Sequence, residues 1–230
     1  MKIRETLTNN IEKVASDRLE MFYHYYLRQE KKKARKSAED IIQQCKTIIS
    51  DNTGSSDGVF KERIRVIAIL FRGLLDLLDV SVMKKSGWLK NNELVEKIWV
   101  RMIDSEDRLE YAKSYCRSLI GDDLLKSVYD LEKEFFDNFG HGYYASTELK
   151  IEHTLCSICG QDFRSCAHVS GDIYDGVMCQ QKVDGVSLSS VSLVRNPADR
   201  RCRVWPWQVN QGGSSTINAM TLFRIDDFLD

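Results

Sequence analysis

Three cysteines and one histidine, close together in the chain, are the residues best suited to chemistry. Cys156, Cys159, Cys166 and His168 lie in the segment CSICGQDFRSCAH. Three thiolates and an imidazole make a complete tetrahedral shell for zinc, and a shell filled by four protein ligands is typical of structural rather than catalytic sites. The spacing therefore predicts a structural Zn2+ site with these four ligands, and we assign no catalytic residue.

The neighbours of these residues indicate how such a site would form. Gly160 directly follows the second cysteine, and glycine lets the backbone turn at positive φ so that amides approach the sulfurs. Cys166 and His168 are separated by one residue, which places both side chains on one side of an extended segment. Cys179, further along the chain, could replace either of these two residues as a ligand. The fourth ligand is therefore predicted as His168, with Cys179 as the alternative.

The segment CSICGQDFRSCAHVSGDIYDGVMC resembles a short zinc segment, CxxCG followed by CxH and G-x-x-Y-x-G, of poorly characterised bacterial and phage proteins. Downstream, SLVRNPA resembles the SLV-x-x-PA strand and turn of phage prohead-protease-like proteins. The resemblance covers about fifty residues and lacks the protease's nucleophile and histidine motifs. It implies a zinc-stabilised, β-rich module in a phage-defence or mobile-element setting, and it does not imply proteolysis.

The composition is that of an ordinary soluble, folded protein, with 43% hydrophobic and 29% charged residues among 230. The formal net charge is -1, so no overall field attracts nucleic acid or an anionic membrane. The apolar stretch over residues 66–83 contains Arg72, Asp76 and Asp79, which are costly inside a bilayer, so we expect a buried helix there. The opening residues MKIRETLTNN lack a signal-peptide pattern, and we expect a cytoplasmic protein with no membrane partner.

Residues 1–140 contain no proline and carry apolar residues at helical spacing, which predicts a bundle of about five helices. We expect one long helix to about Ser50, then a turn, and then a strongly apolar central helix over residues 59–83. A third helix, a fourth that begins at Ser105 and a fifth that ends at Gly140 complete the predicted bundle.

Residues 141–230 have a different texture, with short alternating apolar patterns that predict strands. The pattern VSLSSVSLV, residues 186–194, changes phase at Ser189 and Ser190, where a bulge or a turn would place the apolar residues of both halves on one face. In so small a domain a zinc ion replaces a large core. The predicted fold class is α+β: a helical bundle domain over residues 1–140, followed by a zinc-binding β-rich domain over residues 141–230.

A group of arginines beside tryptophans near the end of the chain is a second candidate site. Its members are Arg200, Arg201, Arg203, Trp205 and Trp207. Arginines can contact a phosphate backbone while tryptophans stack on bases, so the group could bind nucleic acid. The opposing interpretation is that the arginines pair with acidic neighbours and the tryptophans complete a small core.

Arg18 and His24 on the first predicted helix resemble the loose R-x4-6-H pattern of HEPN-type ribonucleases, in which a dimer brings two such pairs together over RNA. Such a pattern also arises on an ordinary packed helix. No glycine-rich phosphate loop, G-x-S-x-G turn, H-E-x-x-H helix or Rossmann fingerprint is present in the sequence.

We therefore expect a non-enzymatic zinc-containing adaptor that docks on a larger bacterial assembly. Its partner is expected to be another protein or a second copy of the chain. The alternative is a nucleic-acid-binding accessory protein or a HEPN-like ribonuclease.

Overall fold

The computed structural model describes residues 2–50, 58–85, 87–115, 122–211 and 214–219, and its α+β fold confirms the predicted class. Within these ranges five α-helices come first: α1 (Lys2–Leu27), α2 (Lys31–Ser50), α3 (Gly58–Met83), α4 (Asn92–Tyr115) and α5 (Asp122–Phe139). Six strands follow: β1 (Tyr143–Cys156), β2 (Ile173–Tyr174), β3 (Val177–Met178), β4 (Gln181–Val194), β5 (Arg203–Gln211) and β6 (Ser214–Ala219).

The prediction of one long first helix is wrong, because a turn separates α1 from α2. Gln29 has a φ of 59°, a left-handed conformation that ends helices and that glycine usually provides. The amides of Gln29 and Glu30 donate to the carbonyls of Tyr26 and Tyr25 at 3.0 and 2.9 Å. A turn made without glycine or proline carries no sequence signal, which explains the error. The turn predicted before α3 lies outside the described residues.

The third and fourth predicted helices are a single helix, α4, so the predicted boundary between them is also wrong. Ser105 lies within α4 with a fully buried side chain, and its hydroxyl donates a 2.9 Å hydrogen bond to the carbonyl of Gly73 in α3. A Cβ atom at Gly73 would stand 3.1 Å from Cγ of Leu109. The serine therefore joins two closely packed helices instead of capping one.

Helix α3 is the centre of the bundle, as its apolar pattern predicts. It packs against α1, α2 and α4. Asp76 of α3 is 1% exposed and accepts hydrogen bonds from Arg108 and, at 3.0 Å, from Arg101, both on α4. These arginines neutralise the buried carboxylate. No helix in the described ranges is long and apolar enough to cross a membrane.

Strands β1 and β4 form a long antiparallel ribbon within a sheet of order β4-β1-β5-β6. Glu148 pairs with Ser190 and Leu149 with Leu188, so Ser189 is the extra residue of a β-bulge. This bulge confirms the predicted change of phase at the two adjacent serines. The aliphatic residues on both sides of it consequently lie on one face of the ribbon.

One end of the ribbon, which we call the Trp205 end, is fixed on the helices by aromatic packing. Here β5 pairs with β1 at Tyr143 and Tyr144. The buried ring of Trp205 in β5 meets Trp99 of α4 edge to face, with centroids 6.1 Å apart. Nε1 of Trp99 donates a 2.8 Å hydrogen bond to the carbonyl of Arg200. Such paired aromatic contacts add specific geometry to the burial of large side chains.

The opposite end, which we call the zinc end after its predicted metal site, is fixed by the β2–β3 hairpin. Its turn residues Asp175 and Gly176 have φ values of 51° and 77°, as a tight hairpin turn with an Asp-Gly sequence requires. Asp175 forms a 3.0 Å ion pair with Lys61 of α3. Ile173 and Met178 are buried in the same core as the helices. The helical and β-rich parts therefore share one core.

Between its two ends the ribbon consists of β1 and β4 alone, within the described residues. Every residue of β4 before Val194 is exposed, and so is most of the middle of β1. The ribbon is thus held at both ends and stands free in between.

Candidate metal centre

The structure brings Cys156, Cys159, Cys166 and His168 together as a group that could hold a metal ion. One ligand atom from each residue lies within 4.8 Å of the other three. Zinc bonds of about 2.0–2.3 Å in a tetrahedron separate the ligand atoms by about 3.3–3.8 Å. The four side chains are therefore close to the arrangement that a bound ion requires.

The end of β1 and the turn after it position the first two thiols. Gly160 adopts a φ of 71°, as predicted, and its amide donates to the carbonyl of Cys156 at 2.9 Å. The amide of Ile158 faces Sγ of Cys156 at 3.4 Å. A hydrogen bond to the sulfur favours the thiolate, which is the form that binds metal.

His168 has a buried Nδ1 that lacks a hydrogen-bond partner among the described residues. Buried polar atoms normally have a partner, and a metal ion would satisfy this nitrogen. The ring also packs edge to face on Tyr174, with centroids 4.7 Å apart, and the Tyr174 hydroxyl accepts a 3.0 Å hydrogen bond from the amide of Val169. Tyr174 therefore positions the imidazole. In the sequence, the only signal for this role is the place of Tyr174 in the G-x-x-Y-x-G pattern.

Cys179 lies beside this group. It is 1% exposed, and its Sγ is 3.8 Å from Sγ of Cys156. That separation also suits two thiolates on one zinc ion. A tetrahedral shell accepts four of these five side chains, so Cys179 stays the alternative to His168 or Cys166.

The surroundings of the thiols give them different acidities. Burial raises the pKa of Cys156, but hydrogen bonds from the amides of Cys159 and Ile158 outweigh this effect and lower that pKa to about 6. Burial and, to a smaller extent, the nearby Cys156 thiol together raise the pKa of Cys179 to about 11. Burial also raises the pKa of Cys166. Of Cys156, Cys166 and Cys179, Cys156 is thus the thiol most readily present as the thiolate ligand.

Variants of the two candidates for the fourth ligand should bind zinc differently. We expect His168→Ala to weaken zinc binding by more than about 100-fold, because loss of even an outer partner of a ligand costs about 10–100-fold. Cys179→Ser should stay within about tenfold of the unaltered chain. Competition with a chromophoric chelator measures both affinities. Zinc retention by His168→Ala together with zinc loss from Cys179→Ser would assign the fourth position to Cys179 instead.

Two arginines of the candidate nucleic-acid group form ion pairs with the helices. Arg200 contacts Glu106 and Glu132, each at 2.6 Å, and Arg201 contacts Asp104 at 3.0 Å. A phosphate group would have to displace these carboxylates. The ion pairs therefore favour the structural interpretation of both arginines.

Arg203 and Trp205, also of that group, are 1% and 3% exposed. The Arg203 guanidinium lies between Trp99 and Trp205, 4.8 Å from each ring centroid, and donates to the carbonyl of Phe139 at 3.2 Å. Trp207 lies in β5, and its side chain is outside the described part of the structure. Buried rings do not offer a face to a base, so nucleic-acid binding stays a prediction that these contacts do not support.

Arg18 and His24 lie on α1, six residues apart, which separates them by about 120° around a helix. His24 is exposed, and its ring meets the edge of Tyr25 with centroids 5.7 Å apart. The hypothesis of a HEPN-like ribonuclease requires a second chain to complete the RNA-cleaving site. It therefore stays a prediction.

The resemblance to phage prohead-protease-like proteins stays an expectation from the sequence. Comparison with known protein families, with curated proteins and with solved structures finds no match for the chain.

Proposed function

We propose that this protein is a non-enzymatic adaptor in which a zinc ion fixes the β1–β4 ribbon for docking on a protein partner within a larger bacterial assembly. The exposed apolar face of the ribbon is the observation that carries this proposal. Zinc is the metal that three thiolates and an imidazole favour. The bacterial setting comes from the sequence resemblance alone.

Aliphatic side chains of the ribbon are concentrated on one face, which we call the apolar face. Leu149 lies opposite Leu188, and Ile151 lies opposite Val186. The members of the apolar face are Leu149, Ile151, Leu155, Val186, Leu188, Val191 and Leu193, which are between 37% and 66% exposed. Near the end of β1 the same face also carries Asp184, opposite His153, and Lys182, opposite Leu155. A two-stranded ribbon is marginally stable alone, and an exposed patch of aliphatic residues is typical of a binding surface.

The other face of the ribbon has a different character. Glu148, Lys150 and Glu152 of β1 alternate with the apolar residues, and Ser190 donates a 2.9 Å hydrogen bond to Glu148. Val183 is an aliphatic side chain on this side. The contrast between the faces favours a partner that covers only the apolar one.

The metal centre lies where it would stabilise the zinc end of the ribbon. Cys156 is the last residue of β1, and Cys179 comes just before β4. The β2–β3 hairpin, which packs on α3, lies between His168 and the start of β4. A shell filled by four protein ligands leaves no position for a substrate, which favours a structural role over catalysis.

Site-specific photo-crosslinking in the native host tests this proposal. A photoreactive amino acid at Leu149, on the apolar face, should form a covalent adduct with a protein. The same amino acid at Lys150, one residue away on the other face, is the matched control and should form little adduct. Equal labelling from both positions, or an adduct with nucleic acid alone, would contradict the proposed function.

A further inference from the structure

We propose that the outer edge of β4 pairs with β4 of a second copy of this chain, antiparallel, about a two-fold axis between Ser189 and Ser190. This inference rests on the proposed function, because it names one partner of the ribbon. Among the described residues, β4 is the end strand of the sheet order β4-β1-β5-β6, and an exposed edge strand offers backbone N–H and C=O groups to another strand.

The sequence of β4 is close to self-complementary about that axis. Antiparallel pairing places Ser189 opposite Ser190 of the second copy and Leu188 opposite Val191 of the second copy. The same register places Ser187 opposite Ser192 and Val186 opposite Leu193. Aliphatic residues therefore meet aliphatic residues and serines meet serines along the whole central part of β4, and such matched cross-strand pairs stabilise sheets.

The β-bulge makes this register possible. In a regular strand, residues such as 188 and 191 point to opposite faces, but residues that lie opposite each other across two strands must share a face. The extra residue Ser189 shifts the alternation, so that Leu188 and Val191 both lie on the apolar face with Leu149. The bulge thus lies at the centre of the self-complementary stretch, where a two-fold pairing requires it.

The two edges of the ribbon differ in how they are protected. Strand β1 carries Glu148, Lys150 and Glu152 on the other face of the ribbon, and charged residues in an edge strand are a common device against edge pairing. Residues 186–194 of β4 carry no charge, no lysine and no proline. The unprotected edge is the one with the self-complementary sequence.

Charge also matches at both ends of the proposed pairing. Asp184 and Arg195 are both exposed, and the register places each opposite the other in the second copy. Arg195 lies one residue beyond β4, where its guanidinium is 5.6 Å from the ring centroid of Tyr143. The symmetry therefore produces two pairs of opposite charge, one at each end of the joined strands. Fourteen aliphatic side chains, seven from each copy, would then lie on one face of the joined ribbons.

Sedimentation velocity of the full zinc-loaded chain, over concentrations from about 1 to 100 μM, tests this inference in the range of weak protein dimers. We expect a concentration-dependent dimer. Leu188→Glu and Val191→Lys, made singly, should each raise the dissociation constant of the dimer by at least about tenfold. Each variant places a charge opposite an aliphatic residue, and the two-fold axis makes this happen twice in the dimer. The double variant L188E/V191K should recover the dimer, since the introduced carboxylate of one copy faces the introduced ammonium of the other.

Three results would overturn the inference: a wild-type chain that stays monomeric, a dimer that both single variants leave unchanged, or single variants weakened without recovery in the double variant. Ile151→Glu is the matched control. It adds a charge to the apolar face on β1, away from the pairing edge, and should leave the dimer unchanged.

Amide hydrogen exchange of the wild-type chain provides a second measurement where a variant fails to fold. Protection of residues 186–193 should rise with protein concentration. Protection that does not change with concentration would overturn the inference. Failure of self-association leaves the photo-crosslinking result at Leu149 unaffected, so the proposed function and this inference can fail separately.

Discussion

Replacement of Cys156 by serine is expected to abolish zinc binding and to release the zinc end of the ribbon. Structural zinc contributes about 10–16 kcal/mol of apparent binding free energy in small zinc-dependent domains, so the segment between β1 and β4 should lose its order with the metal. Limited proteolysis with mass spectrometry of the fragments measures this release. We expect the first cuts within residues 157–180, while α3 and α4 persist as protected fragments.

Cys202→Ser is the matched control for this variant. Cys202 is also a buried cysteine of the β-rich part, but it lies at the Trp205 end beside Arg203 and outside the metal group. The Cys202→Ser variant should keep its zinc and its resistance to protease. A Cys156→Ser variant that retains zinc and resists cleavage as the unaltered chain does would disprove the assignment of the metal centre.

Replacement of Asp76 by alanine is expected to destabilise the helical part by about 3–5 kcal/mol. Asp76 is buried and bonded to Arg108, whose side chain is only 7% exposed. Removal of the carboxylate would leave that arginine charge buried with weaker compensation. Although the arginines oppose it, burial raises the pKa of Asp76 to about 6, so the carboxylate is charged near pH 7. Urea unfolding at about pH 7, followed by circular dichroism, measures the loss.

Asp79→Ala provides the comparison, because Asp79 lies one turn further along α3 and pairs with Arg35 near the surface. A partly exposed pair of this kind is worth about 0–1 kcal/mol. The difference between the two variants therefore isolates the effect of burial. Equal destabilisation by both variants would show that the burial of the Asp76–Arg108 pair does not increase its contribution to stability.

The grouping of Cys156, Cys159, Cys166 and His168 could be predicted from the sequence because ligand type and spacing act over a short segment. Gly160 shows the predicted positive φ, and Gly140 ends α5 with a φ of 68°. The bulge at Ser189 was also predictable, because a change of phase in an alternating strand has few structural explanations. These features depend on neighbours in the chain.

Helix boundaries were predicted less well, for two physical reasons. Gln29 makes a left-handed turn that sequence patterns assign to glycine, so the break between α1 and α2 left no signal. Ser105 matches a capping residue, but its hydroxyl bonds to Gly73, which is distant in sequence. Tertiary contacts determined both outcomes, and a single sequence does not reveal them.

The role of the arginine group depended on residues still further away. Arg200 and Arg201 lie beside tryptophans in the sequence, which is compatible with nucleic-acid binding. Their carboxylate partners come from α4 and α5, which precede the whole ribbon in the sequence. The spacing of the arginines alone could not distinguish a phosphate contact from an ion pair with Glu106.

The free middle of the ribbon links these features to function. Aromatic packing and ion pairs hold the Trp205 end, and the β2–β3 hairpin beside the cysteine-histidine group holds the zinc end. A ribbon fixed at both ends loses less conformational entropy when a partner covers it, which favours binding. The zinc ion would therefore act on affinity through the order of the ribbon and without contacting the partner.

Elemental mass spectrometry of the full chain, purified without chelators, tests the central claim most directly. We predict about one zinc ion per chain, as one tetrahedral site requires. Its removal by a chelator should expose residues 157–180 to protease. A chain that contains no metal and is nevertheless resistant in this segment would contradict the claim, because its cysteines would then be ordinary buried thiols.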